Sequence, residues 1–169
     1  MAQVRWLSDQ EQQVWRSFLA ATQRVNDHLG HQMQRDSGMP TTYYKILVEL
    51  SEAENSTMRM SELAVACHSS RSRLSHAIAR LEANGWVCRE GCPTDKRGSF
   101  ALLTDHGLAA LRDAAPGHAT AVREAVFDVL TPAQVEQLGA ILTAISQGPA
   151  AECARAQAAA CEAADLELA

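Results

Sequence analysis

The apolar positions of this chain fall into several helical stretches interrupted by one short block of alternating residues. After Ser8-Asp9-Gln10-Glu11, an S-x-x-E capping box, Val14, Trp15, Phe18, Leu19, Val25, Leu29 and Met33 keep a helical spacing until Ser37-Gly38. Residues 9–36 predict a helix of about 42 Å, long enough to reach beyond one subunit's core. Met39-Pro40-Thr41-Thr42 predicts a second helix start, with Pro in its first turn and Thr as cap. Tyr43, Tyr44, Ile46, Leu47, Val48 and Leu50 leave this helix little polar face, so it is expected to be buried. Glu54-Asn55-Ser56 reads as a loop and Met58-Arg59-Met60 as one edge strand.

Ser61 is expected to cap a short helix, Glu62 to Cys67, followed by a turn at His68-Ser69-Ser70. From Ser70 to Glu82 the two faces of a helix differ sharply: Leu74, Ala77, Ile78 and Leu81 on one, Ser72, Arg73, His76, Ala79 and Arg80 on the other. Asn84-Gly85 ends it. Trp86 to Glu90 and Ser99 to Leu103 read as paired strands around a polar turn, Pro93 to Gly98. Two helices, a tight turn and a following hairpin make a winged helix-turn-helix, with 58–60 as the third strand. Thr104-Asp105 caps another helix carrying Leu108, Leu111, Val122, Val126, Val129 and Leu130, which Pro116-Gly117 is expected to kink or interrupt. Thr131-Pro132-Ala133-Gln134 starts a last helix with Val135, Leu138, Leu142 and Ile145 at 3-4-3 spacing, ended by Gly148-Pro149. The fold class predicted is mainly α with a small β-hairpin wing. Residues 1–36 and 104–147 read as dimerisation helices and 37–103 as the winged helix-turn-helix. Residues 148–169 form an alanine-rich tail, and each subunit is a single intertwined domain.

Charge changes the picture locally rather than globally. The net charge is −5, which by itself disfavours a nucleic-acid partner. Yet residues 67–100 hold six basic side chains and three acidic ones, so the winged segment is basic on an acidic body. The outer face of 70–82 is basic and hydroxyl-bearing, chemistry that suits phosphates and base edges, which makes it a candidate DNA-recognition helix. Without a signal-peptide pattern or an apolar run of membrane length, the expectation is a cytoplasmic protein with no membrane partner. The five cysteines (Cys67, Cys88, Cys92, Cys153, Cys161) are expected as reduced thiols. No G-x-S-x-G, P-loop, H-E-x-x-H or G-x-G-x-x-G motif occurs, so no enzyme chemistry and no cofactor is expected.

Five segments in this order resemble the multiple-antibiotic-resistance-regulator (MarR) family of winged-helix transcriptional regulators. They are Met60-Ser61-Glu62-Leu63-Ala64, residues 70–75, residues 78–82, Asp95-Lys96-Arg97-Gly98, and Leu103-Thr104-Asp105-His106-Gly107. The last two are similar to the family's D-x-R-G wing tip and L-T-x-x-G helix start. The resemblance covers residues 8–147 and implies a homodimer on a palindromic operator in double-stranded DNA, with half-sites about 34 Å apart. Repression is the commoner mode in the family. Ser72 and His76 point most directly outward and are candidates for base edges; Arg73 and Arg80 flank them, with Ser75 on the same helix. Arg71, Ser69 and Ser70 lie at the helix start, where free N–H groups favour phosphate. The resemblance makes Arg97 the minor-groove residue of the wing, held by Asp95, with Lys96 as a phosphate contact.

Many relatives release DNA on binding small aromatic or phenolic acids between the dimerisation and DNA-binding regions. Trp15, Arg16, Phe18, His28, Tyr43 and Tyr44 are candidates to line such a site, although the aromatic ones at helical spacing equally suit core or dimer interface. Two other readings stand beside this one. A thiol-based redox regulator would draw on Cys67, with His68 and Arg71 near it to lower its pKa, although at the end of a packed helix this cysteine better suits a small buried residue; a dimeric adaptor would bind protein and not DNA. Cys88 and Cys92, and the pair His28 and His31, fall short of a metal-ligand set.

Overall fold

A computed structural model describes residues 4–91 and 98–149 of the chain. Its first helix, α1 (Asp9–Ser37), forms where the pattern places it, because both ends are locally determined. Ser8 Oγ accepts from the Glu11 amide at 3.3 Å while Glu11 returns a bond to the Ser8 amide at 2.7 Å. The Ser8 amide, with the Ser8 hydroxyl beside it, donates to the Glu11 carboxylate and holds that carboxyl below its ordinary pKa. At the other end Gly38 turns left-handed at φ 62° and donates to the Gln34 carbonyl.

Next come α2 (Thr41–Glu52), a 3-10 turn (Glu54–Ser56), β1 (Thr57–Arg59), α3 (Met60–Ala66), α4 (Arg71–Ala83), β2 (Val87–Gly91) and β3 (Ser99–Leu103). They are followed by α5 (Asp105–Val122), a π turn (Arg123–Phe127) and α6 (Pro132–Ser146). The strands form an antiparallel sheet in the order β1-β3-β2, with Ala101 of β3 opposite both Met58 and Arg89. The architecture is the mainly helical one with a hairpin wing that the pattern predicts. Among the described residues no helix is long and apolar enough to cross a membrane.

One core joins the winged unit to the long helices. Ile46, Leu47 and Leu50 of α2, Leu63 of α3, Leu74, Ile78 and Leu81 of α4, and Ala101 of β3 are essentially sealed from solvent. Met33 from the end of α1 and Leu111 and Ala114 of α5 belong to the same cluster. The opposite end of α1 is different: Val14, Trp15, Phe18 and Leu19 are each at least 42% exposed. In α6 no residue is buried, and Ile141, Leu142 and Ile145 face solvent.

Several local expectations shift. Pro40, not a threonine, is the N-cap of α2, with no side-chain bond. The edge strand begins at Thr57, and Met60 opens α3, so Ser61 lies inside that helix instead of capping it. Glu54–Ser56 closes as a tight turn with Asn55 and Ser56 at positive φ. Trp86 precedes β2 rather than starting it. Pro116 does not interrupt α5, which runs straight through to Val122. The proline lies on the exposed side with Arg112, whose carbonyl loses its donor where water is at hand. The irregularity comes a turn later, where the Asp128 amide reaches back to the Arg123 carbonyl at 2.8 Å, a π-type bond.

The joint between the winged unit and α5 is tight. Trp86 donates to the Leu81 carbonyl at 2.9 Å, and the Thr104 amide donates to the Trp86 carbonyl at 3.1 Å. Thr104 caps α5 by accepting from the Gly107 amide at 3.0 Å. A Cβ on Gly107 would overlap the Trp86 carbonyl, so only glycine allows this approach.

Candidate nucleic-acid interface

The α3-turn-α4 unit is built by its turn. His68 adopts φ 50°, which reverses the chain, and the Ser69 amide closes onto the Ala64 carbonyl at 2.9 Å. Ser70 then caps α4, its hydroxyl accepting from the Arg73 amide at 3.3 Å. The cap leaves the first turn of α4 open, with Arg71 beside it and Ser69 half-buried behind it.

The two faces of α4 separate as predicted. Leu74, Ala77, Ile78 and Leu81 are buried, while Arg71, Ser72, Arg73, Ser75, His76, Ala79 and Arg80 are exposed. Among the described residues Arg73 and Arg80 enter no ion pair. The result is a ridge of cations, hydroxyls and one imidazole standing on a rigid apolar base. Such a ridge can form charge-assisted bonds to phosphates and bidentate bonds to base edges. Asp95, Lys96 and Arg97, the wing-tip candidates, lie outside the described residues, between the ends of β2 and β3.

Sequence reasoning missed Arg89. Its guanidinium Nη2 donates to the Ser75 carbonyl, in the middle of α4, at 2.7 Å, and its Nε lies 3.0 Å from Glu82 Oε2. The wing is thereby tied to the exposed helix at two points. The signal was present in the alternation of β2: Val87 is buried, so Arg89, two residues on, shares the face toward α4. On the neighbouring strand pair, Arg59 stacks its guanidinium 5.4 Å from the Phe100 ring centre.

The six residues singled out for a ligand fall in different surroundings. Trp15 and Phe18 stack at 5.9 Å on the exposed half of α1. Arg16 borders a shallow open depression with Asp9, Gln12, Gln13 and Ser17, and bonds to Gln12. His28 is exposed and Tyr43 half-buried. Tyr44 stands alone in meeting an unforeseen partner, the His118 ring, 4.5 Å away. Burial raises the Tyr44 phenol and lowers the His118 imidazole, whose Nδ1 is buried without a hydrogen bond.

A better-defined cleft opens elsewhere, between the end of α1, Met39, Trp86 and α5. It holds about 280 Å³ and is lined by Gln32, Asp36, Met39, Trp86, Asp113 and Gly117, among others. Gln32 is only 5% exposed. Its Nε2 donates to Asp36 Oδ2 at 2.9 Å, and its Oε1 is buried with no hydrogen-bond partner.

The thiols behave differently from the activated cysteine considered above. Burial, with Glu49 adding to it and Lys45 opposing it, pushes the Cys67 thiol up to about 11, so neither His68 nor Arg71 activates it. Cys88 is exposed. Among the described residues no three His, Cys, Asp or Glu side chains converge as a metal site.

Residues 37–98 match the family model described as MarR family. The chain is 55% identical to Sco3205 of Streptomyces coelicolor, a MarR family transcriptional regulator solved in complex with DNA. That match has a TM-score of 0.82 and covers 88% of this chain and 92% of that one. AbsC, a MarR family regulator from the same organism, is 43% identical with a TM-score of 0.79, over 85% of this chain and 97% of its own. Among curated relatives, the transcriptional repressor MprA of Escherichia coli K12 is 28% identical over 108 residues, 64% of this chain and 61% of MprA. Family membership also removes the enzyme reading, since these proteins regulate transcription and do not catalyse reactions. With the exposed basic helix, its tethered hairpin and a match at 55% identity over 88% of its length, the chain belongs to the MarR family of winged helix-turn-helix transcriptional regulators.

Proposed function

We propose that this protein is a homodimeric repressor that binds a palindromic operator in double-stranded DNA and is released from it by a small aromatic or phenolic molecule. The observation that carries the reading is the outer face of α4: Ser72, Arg73, His76 and Arg80 exposed together on a helix whose other face is sealed. A relative at 55% identity was solved in complex with DNA, which supports a DNA-binding role for this chain.

Two copies of α4 would enter successive major grooves, Ser72 and His76 toward base edges, Arg73 and Arg80 toward guanine or phosphate. Ser69, Ser70, Arg71 and Ser75 would hold the backbone around the helix start, and Lys96 and Arg97, with Asp95 positioning the arginine, would extend the contact from the wing. The apolar side chains left exposed on α1 and α6 supply a dimer face, so the segments 1–36 and 104–147 serve dimerisation while 37–103 reads DNA. The division is functional rather than physical, because Met33 and Leu111 lie in the winged unit's own core.

The test is retardation of a DNA fragment from upstream of the protein's own gene, with nonspecific DNA as competitor. Wild type is expected to give a specific shift. Arg73→Ala is expected to weaken it by about 1–3 kcal/mol, roughly 5- to 150-fold, with the fold unchanged. No specific shift with wild type would favour the adaptor reading, in which the ridge on α4 meets protein.

A further inference from the structure

The contact between Tyr44 and His118 lies where the winged unit meets the helix that leaves it. Tyr44 belongs to α2, whose Ile46, Leu47 and Leu50 share one core with Leu74, Ile78 and Leu81, the apolar base of α4. His118 belongs to α5, which runs on toward the exposed apolar face of α6. The two rings are 4.5 Å apart and tilted by 45°. His118 Nδ1 is buried with no hydrogen-bond partner. In a neutral imidazole that atom can remain an unused acceptor; a second proton on the ring makes it a buried donor that carries charge.

Among the described residues no acidic group offsets that charge. From α2 the ring meets the Tyr44 phenol, which burial raises and keeps neutral. From α1, Gln32 and Asp36 reach this level of α5, where with Asp113 and Gly117 they line the neighbouring cleft. One turn away on α5 itself stand Ala114, Ala115, Ala121 and Val122. Burial lowers the imidazole, and neither Asp36 nor any other charged group opposes it. The helix is also weak at this level. Pro116 withholds a donor from the Arg112 carbonyl, and Gly117 is the poorest helix former after proline.

We propose that the Tyr44–His118 contact is a proton-operated joint: a proton taken up by His118 loosens α5 from α2 and weakens the protein's hold on its operator. The first half concerns the chain alone; the second rests on the DNA-binding reading. Its sign is diagnostic. Any proton taken by the exposed His68, His76 or His106 adds positive charge, which by itself tightens binding to a polyanion. A joint at His118 does the reverse.

Operator affinity of the full-length protein, measured by filter binding at pH 7.5 and 5.5 and at constant salt, tests the second half. Wild type is expected to lose about three- to tenfold in acid, within what one proton per protomer can supply. His118→Phe keeps an aromatic ring against Tyr44 without a titrating nitrogen and is expected to lose nothing, with a Tm at pH 7.5 no lower than wild type. His118→Gln is the second variant that cannot titrate. Hydrogen exchange of the DNA-free protein, corrected for the intrinsic effect of pH, reads the joint itself. Residues 113–121 are expected to lose protection at least threefold in acid in wild type and in neither variant. Unchanged protection in wild type, or an equal loss in both variants, would overturn the joint. Protection lost in acid while operator affinity holds or tightens would overturn its coupling to DNA. No specific complex even at pH 7.5 would instead sink the DNA-binding reading, with exchange still deciding the joint.

Discussion

Replacing Arg89 by Met removes two tethers between the wing and α4 while keeping most of the apolar stem. The bond to the Ser75 carbonyl is 2.7 Å long and donated by a full cation, a class worth about 1.5–3 kcal/mol. The approach to Glu82 contributes less. Both side chains are about a third exposed, at 31% and 34%, and Nε makes no aligned hydrogen bond despite the 3.0 Å separation. Solvent screening brings that pair to about 0.2–1 kcal/mol. The expected cost is about 2 kcal/mol, which at this chain length lowers Tm by about 4–8 °C. Glu82→Gln, which spares the Ser75 bond, is expected to cost at most about 1 kcal/mol. Thermal unfolding at one fixed protein concentration reads both, because a dimer's Tm depends on concentration. Operator affinity of Arg89→Met, measured well below its Tm, is expected to fall about three- to tenfold, since α4 keeps its apolar base and loses only its link to the wing. An Arg89→Met protein that melts within a degree of wild type and binds operator equally well would refute the reasoning.

Three further outcomes follow from the same structure. Ile145→Glu places a charge on the exposed apolar face of α6 and is expected to convert the dimer to monomer in light scattering, with operator binding lost; a dimer of wild-type stability would put the interface elsewhere. Iodoacetamide at pH 8 is expected to modify exposed Cys88 well before Cys67, whose thiol is held protonated to about 11; equal rates by mass spectrometry would contradict the burial of Cys67. The His118 imidazole is expected to protonate below its ordinary 6.5, because burial disfavours its charged form. Its contribution to stability is therefore present above pH 6.5 and lost as pH falls below it, and an NMR midpoint at or above 6.5 would reverse that sign.

The elements most legible in the sequence were those whose ends carry their own chemistry. Ser8, Thr104 and Thr131 each satisfy amides within three residues, so the starts of α1, α5 and α6 need no tertiary help. The faces of α4 were legible because one period decides them. What escaped depended on partners distant in sequence. Ser61 looks like a cap, but pairing of Thr57 with Leu102 shifts β1 back and pulls Met60 into the helix. Pro116 looks like a break, but it falls on the solvent side of a helix anchored by Leu111, Ala114 and Ala121. The cleft at Gln32 brings the end of α1 against α5, 73 or more residues apart in the chain, and no periodicity announces an orphaned acceptor.

The bare approach of Gly107 to Trp86 sets a rule for recombining parts. Winged units and oligomerisation helices look separable, and a chimaera joining this reading head to another regulator's helices is easy to conceive. The seam would lie where Thr104 and Gly107 meet the Trp86 carbonyl. A donor helix bringing any side chain at that place would wedge the seam open and tilt the head by an uncontrolled angle. The glycine therefore acts as a gauge for interchangeable parts: a transplanted helix fits this head only if it brings the same missing Cβ.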